Sequence, residues 1–339
     1  RDIIKMPFQN FLGPIISKRR APHLKAKFDE IGGDPLKSWT ERQGAGIVEL
    51  LEKNSPLTAP HKAYTCFRYS KPDIEHAVEQ LEKDQAERVI ILSKYPQYSC
   101  STTGSNLNDI SRYCVETKKH MSEKPNQRWS LIDRWPLSSA IVDVYAERIE
   151  TELAKLPQEI RRETILLFSA HSIPIWMVER GDDYTGEVGG TVQAVLKKLG
   201  NKNPYSLVWQ SKVGPVPWQG PQIEKALEGY VKNGFKHFIV IPIAFVNEHI
   251  ETLHELDIEY ARDLKEKIKF ETFLRVPAIN DHPKFLEGLA DLIKQHIESR
   301  ETISAQMRRR CPGCDKNNCK RTRAWLERLE AINRSEERR

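Results

Sequence analysis

Nine consecutive residues, 238–246, are apolar or proline. A run that short cannot cross a bilayer, but it suits a strand buried on both faces. Polar residues follow at once: Asn247, Glu248, His249, then Glu251, Glu255 and Glu259. Asn247 is placed to cap a helix. On that helix the four glutamates stand three or four apart and share one face, where like charges repel by a few tenths of a kcal/mol per pair. One reading is a solvated acidic face. The other is a line of proton acceptors with His249 and Glu251 at its inner end, beyond the carboxyl end of a buried strand, where ligands bind in parallel sheets.

Similar alternation runs along the chain. Apolar stretches predict strands over residues 63–69, 88–93, 164–168, 205–210 and 273–276. Periodic stretches predict helices over 40–51, 72–83, 105–118, 139–156, 188–199, 223–233 and 283–299. Residues 119–128 are polar and read as a loop. Gly32-Gly33-Asp34-Pro35 reads as a turn. Gly44-x-Gly46 lacks a third glycine and a preceding strand, which argues against a dinucleotide loop. The strand over 164–168 leads into Ser169-Ala170-His171-Ser172, so a second histidine stands at a strand's carboxyl end. A lone histidine there is more often structural, but two such ends raise the odds of a site. Alternating strands and helices predict an α/β fold of two Rossmann-like halves, each a mostly parallel sheet flanked by helices.

The expected segments are 1–136, 137–300 and a C-terminal extension, 301–339. Over 339 residues, 39% hydrophobic and 29% charged residues fit a globular protein with a sizeable core. A net charge of +6 is too mild to demand nucleic acid. Residue 1 is Arg, and no leader peptide is visible, so the chain is expected to be processed or to lack its beginning. Phe8, Phe11, Leu12, Ile15 and Ile16 recur at helical spacing before Lys18, Arg19 and Arg20. They suit a core-facing helix, or an apolar lip flanked by cations. Three of six cysteines, Cys311, Cys314 and Cys319, form C-x2-C-x4-C and point to metal or cluster binding. An iron–sulfur cluster wants a fourth thiolate, from Cys66, Cys100 or Cys114. A zinc site of these three and a histidine is equally consistent.

Four segments together resemble the ferrochelatase family. They are Tyr95-Pro96-Gln97-Tyr98-Ser99-Cys100-Ser101-Thr102-Thr103-Gly104, residues 168–174, residues 209–218, and Ile243-Ala244-Phe245 through His249-Ile250-Glu251 to Tyr260. The cysteine-rich end resembles the animal type. The resemblance implies a lyase that inserts ferrous iron into protoporphyrin IX in the terminal step of haem synthesis. It implies His171, Glu251, His249 and Glu255 as catalytic residues. For the porphyrin it implies Arg20, Phe28, Asp34, Arg68, Tyr69, Tyr95 and Trp218. As ligands of a [2Fe-2S] cluster it implies Cys100, Cys311, Cys314 and Cys319. It further implies a homodimer, peripheral on the matrix side of the mitochondrial inner membrane. A basic, zinc-tailed nucleic-acid binder is the other class weighed, and no nucleic-acid partner is expected because the aromatic interleaving and strong basic stripe are missing. The family's first strand is expected to be missing here, which leaves the first sheet with a bare edge. Ser138 and Ser139 stand where animal relatives often carry a His pair. The alternative is a porphyrin- or haem-binding protein without turnover. Metallation needs a base, a carboxylate route for protons or metal, apolar walls, and cations for the propionates. His171 is expected to be that base because imidazole titrates near neutral pH. His171 and Glu251 are expected to face each other across a slot wide enough for a tetrapyrrole.

Overall fold

The computed structural model describes residues 9–117, 127–309 and 311–337. Among the described residues six strands form: β1 (Arg88–Leu92), β2 (Arg128–Ile132), β3 (Ile165–His171), β4 (Tyr205–Gln210), β5 (His237–Ile241) and β6 (Thr272–Arg275). The chain divides into two compact units. Unit one holds the chain through Thr40, Ile141–Trp176 and Val188–His282; unit two holds Glu41–Ala140, Met177–Glu187 and the chain from Pro283 onward. The three consecutive segments expected from the sequence differ from this division, because each unit is assembled from separated stretches.

Unit one carries a four-stranded sheet in the order β4-β3-β5-β6. Every pairing is parallel. Strand β5 explains the apolar run: Phe238, Ile239, Val240 and Ile241 are fully buried, as a central parallel strand requires. The strand ends at Ile241, earlier than the run suggests, because Pro242 has no N–H for the ladder. The remaining apolar residues form a buried turn, with the Tyr145 hydroxyl 2.6 Å from the carbonyl oxygens of both Pro242 and Phe245. Strand β3 runs three residues past its expected end. Strand β4 supplies partners that far, pairing Gln210 with His171.

Asn247 does not cap the helix that follows. His249 is its N-cap, and the His249 N–H donates to Thr252 Oγ1 at 3.0 Å. The helix Ile250–Leu253 then passes into a π-helix, Glu255–Leu264. Glu248 therefore falls outside the acidic face. Its buried carboxylate accepts hydrogen bonds from Arg275, the Ala278 N–H and Thr252, a structural role.

Unit two pairs β1 with β2 in parallel. Residues 63–69, expected as a strand, pair with no strand among the described residues. Residues 128–132, which the sequence left in or beside a loop, do form one, with Trp129, Leu131 and Ile132 buried. The loop predicted over 119–128 lies mostly outside the described residues. The C-terminal segment is no appendage. Trp325, Leu326 and Leu329 of the helix Asn317–Glu337 join one core with Val89, Trp129 and Leu131. Gly288 lies so close to the helix Ser139–Ala154 and its approach that a Cβ there would stand 2.8 Å from the Cα of Ala140.

Candidate active site

The site assembles within unit one at the carboxyl ends of β3 and β4. His171 is the last residue of β3, and its Nδ1 lies 2.6 Å from the Ser172 carbonyl oxygen. A carbonyl only accepts, so Nδ1 carries a proton. That leaves Nε2 facing Glu251, whose Oε1 is 3.3 Å away. The other Glu251 oxygen, Oε2, lies 3.2 Å from His249 Nε2. One carboxylate thus bridges two imidazoles, delivered by a strand end and by a helix N-cap.

This geometry fixes the charges. Burial opposes charge on both partners. On His171 the charge and hydrogen bond of Glu251 outweigh burial and push the imidazole up to about 9. The imidazoles of His171 and then His249 outweigh burial on Glu251 and hold it well below the usual carboxylate range. His171 is therefore an imidazolium at neutral pH, not the free base expected from its ordinary titration. The expected slot between the two groups is also absent. A flat ring between them needs roughly 7 Å, twice a van der Waals contact distance, and they are in hydrogen-bond range.

Trp218 adjoins the pair, its ring centroid 6.4 Å from that of His171. Its indole Nε1 is buried with no hydrogen-bond partner among the described residues. Phe245 packs on the other imidazole, 5.0 Å from His249 between ring centroids. Glu255 opens the π-helix and is held by Gln210, Ser211 and Tyr260. Burial and the neighbouring Glu251 raise its carboxyl above the ordinary value against the hydrogen bonds of Ser211, Tyr260 and Gln210. The sequence reading gave no role to Gln210 or Ser211. Their position just past a buried strand was the available signal.

The other candidates belong to other segments. Arg20 is exposed and Phe28 half-buried on the helix Gln9–Glu30. Asp34 is exposed and accepts the Leu36 N–H at 3.0 Å, a local contact that starts the next helix. Arg68, Tyr69 and Tyr95 belong to unit two. There Arg68 stacks 5.0 Å from the Tyr69 ring centroid and donates to Ser105, and Tyr69 and Tyr95 are exposed. Phe8 lies outside the described residues, as do the side chains of Phe11, Leu12 and Ile15.

Unit two also gathers Cys100, Cys311, Cys314 and Cys319. Cys319 hydrogen-bonds with Cys314 and lies in the electrostatic field of Cys311, and Cys100 lies in that of both Cys311 and Cys319. Asn108 Nδ2 points at the Cys319 sulfur from 3.8 Å. Buried Asp182 accepts the Cys100 N–H at 2.7 Å and the Ser99 hydroxyl at 3.2 Å, which fixes that loop. Gly181, at φ +86°, lets Pro312 approach: a Cβ there would lie 2.6 Å from Pro312 Cδ. Among the described residues no three or more His, Cys, Asp or Glu form a group that can hold one metal ion. A two-iron cluster takes four thiolates, two on each iron, and these four cysteines are the ones the resemblance implies.

The fold has solved counterparts. It is similar to SirB from Bacillus subtilis with Fe3+, at TM-score 0.53 and 12% identity over 77% of this chain and 92% of that one. It is also similar to the sirohydrochlorin chelatase SirB from Bacillus subtilis subspecies spizizenii in complex with cobalt, at TM-score 0.50 and 12% identity over 76% and 89%. The architecture is thus the α/β fold of those structures, with parallel sheets flanked by helices. The sequence narrows this. The family model for Ferrochelatase matches residues 1–297. The chain is 48% identical to "Ferrochelatase, mitochondrial" of Bos taurus over 96% of its length and 78% of the relative. Identity is 47% with the Homo sapiens protein, over 96% and 76%, and 45% with that of Drosophila melanogaster, over 97% and 85%. The chain belongs to the ferrochelatase family.

Proposed function

We infer that this chain is an enzyme that inserts ferrous iron into protoporphyrin in haem synthesis. The observation that carries the chemistry is the Glu251 carboxylate bridging His171 and His249 at the end of β3. Metallation exchanges two inner N–H protons for one Fe2+, so the site must take up two protons. His171 holds a proton because Glu251 is charged beside it. A dication drawn toward Glu251 competes with the imidazolium and lowers its proton affinity, so its proton passes by way of Glu255 to solvent and Nε2 is freed to take each pyrrole proton in turn. Glu255, with its raised carboxyl, is suited to receive the proton next. Trp218 supplies apolar surface beside the imidazole.

The relatives are mitochondrial ferrochelatases, and the same compartment is assigned here. We further propose peripheral attachment to the matrix face of the inner membrane. No described helix is long and apolar enough to cross a membrane. On the helix Gln9–Glu30, however, Ile16 and Leu24 are exposed beside Lys18, Arg19 and Arg20, which suits an anionic interface. The resemblance supports a homodimer. Cys100, Cys311, Cys314 and Cys319 are proposed to hold a [2Fe-2S] cluster, which when bound supplies iron–thiolate links between the loop at Cys100 and the tail. Arg20, Phe28, Asp34, Arg68, Tyr69, Tyr95 and Trp218 are retained as proposed porphyrin contacts on family resemblance. The decisive assay is anaerobic: ferrous iron, protoporphyrin and detergent should yield haem. Porphyrin binding without haem formation would establish the non-catalytic alternative instead.

A further inference from the structure

We propose that Ser211 is a positioning residue for the metallation reaction, fixing the Glu255 carboxylate beside the His171–Glu251 pair. The proposal rests on the metallation reading and adds a residue to it. Ser211 follows β4 directly and adopts φ +64°, a left-handed conformation that non-glycine residues take only at a cost. That conformation aims two donors at one carboxylate. The Ser211 N–H lies 2.8 Å from Glu255 Oε1, and the Ser211 hydroxyl lies 2.5 Å from Oε2.

Two further donors complete the cradle. Gln210 Nε2 lies 3.1 Å from Glu255 Oε2 and 2.9 Å from the Glu251 carbonyl oxygen. The orientation of that amide is set from behind, because Ser169 donates its hydroxyl to Gln210 Oε1 at 2.7 Å. Tyr260 reaches back five residues to donate to Glu255 Oε1 at 2.9 Å. That reach belongs to the π-helix, whose wider winding brings positions five apart onto one face. The carboxylate is thus gripped by both strand-end residues and by its own helix. The ionisable groups around it are Glu251 on its own segment, His171 on β3, and Tyr260, whose hydroxyl also meets Glu224 of the helix Ile223–Lys232. A loose carboxylate would leave no placed proton acceptor beyond the His171–Glu251 pair. Four hydrogen bonds hold it in one position instead.

Two substitutions separate the parts. Ser211→Gly keeps the backbone donor and tolerates the left-handed conformation but removes the hydroxyl. Tyr260→Phe removes a donor from the opposite side. Donors favour the charged carboxylate, so each loss raises the Glu255 carboxyl further. Each variant should lower kcat by up to about tenfold at neutral pH with KM for porphyrin little changed. Each should also move the acid limb of the kcat profile up by roughly one pH unit, so that activity recovers on the alkaline side. Thermal melts confirm that both variants are folded. A profile that stays in place, or a loss expressed as raised KM, overturns the role of Ser211. Absence of haem formation by the parent protein would instead overturn the metallation reading itself.

Discussion

His171 and Glu251 are a contact ion pair, with Nε2 and Oε1 3.3 Å apart and the second imidazole nitrogen committed to the Ser172 carbonyl. A flat ring therefore cannot lie between the members of this pair. Proton affinity at the site is set by how strongly Glu251 is engaged.

Glu251→Gln removes the charge that holds the proton on His171. The His171 titration, followed by NMR, should fall from about 9, because burial is then opposed only by the Ser172 carbonyl and the more distant Glu255. Turnover should drop about 10²-fold or more, while porphyrin binding changes little. A His171 titration that stays near 9 would show that another group supports the imidazolium. His171→Ala should bring haem formation to background in a folded protein.

The same pair makes stability depend on pH. The folded-state value of His171 is raised, so its contribution is complete below the unfolded value of 6.5 and fades as pH rises through about 9. The Glu251 value is depressed, so its contribution is complete above the unfolded 4.5 and is lost as pH falls below that. The pair should therefore stabilise the fold most between these limits. Melting temperature of the parent minus that of the Glu251→Gln variant, scanned from pH 4 to 10, should be largest there. A flat difference counts against the pairing.

Trp325 is fully buried in the core of unit two. Trp325→Ala should destabilise that unit by about 3–5 kcal/mol in denaturant unfolding. An effect under about 0.5 kcal/mol, the usual surface value, would mean the tail helix is not part of the core.

Gly288→Ala tests a close approach. Its methyl would stand 2.8 Å from the backbone of Ala140, so the helices must shift. A loss of about 1–3 kcal/mol is expected. An unchanged melt would show that the approach is looser.

Cys100→Ser tests the cluster. The protein expressed with iron should lose visible cluster absorption and bound iron. A colourless parent protein that holds one zinc, unaffected by the substitution, would favour a zinc site in the tail.

Much of this was written in the sequence. The run before Asn247 gave β5, because a strand buried on both faces needs unbroken apolarity. The location of His171 and Glu251 followed from the rule that sites lie beyond strand ends. Other features depended on partners the local pattern does not name. Residues 63–69 look like a strand but have no strand beside them among the described residues. The strand β2 is only five residues long and begins and alternates with polar side chains. The π-helix spacing was invisible, because residues four apart share a face in either winding. Ser211 was missed because its left-handed φ is a property of the folded turn. His171 was expected to titrate near neutrality because its distance from Glu251 cannot be read from a chain in which the two lie eighty residues apart.

Trp325, Leu326 and Leu329 close a core whose other walls, Val89, Trp129 and Leu131, are translated about two hundred residues earlier. A nascent chain leaving the ribosome must therefore carry those earlier apolar residues uncovered until the late helix arrives. Unit two cannot fold vectorially, and its half-made state is the one most in need of a chaperone.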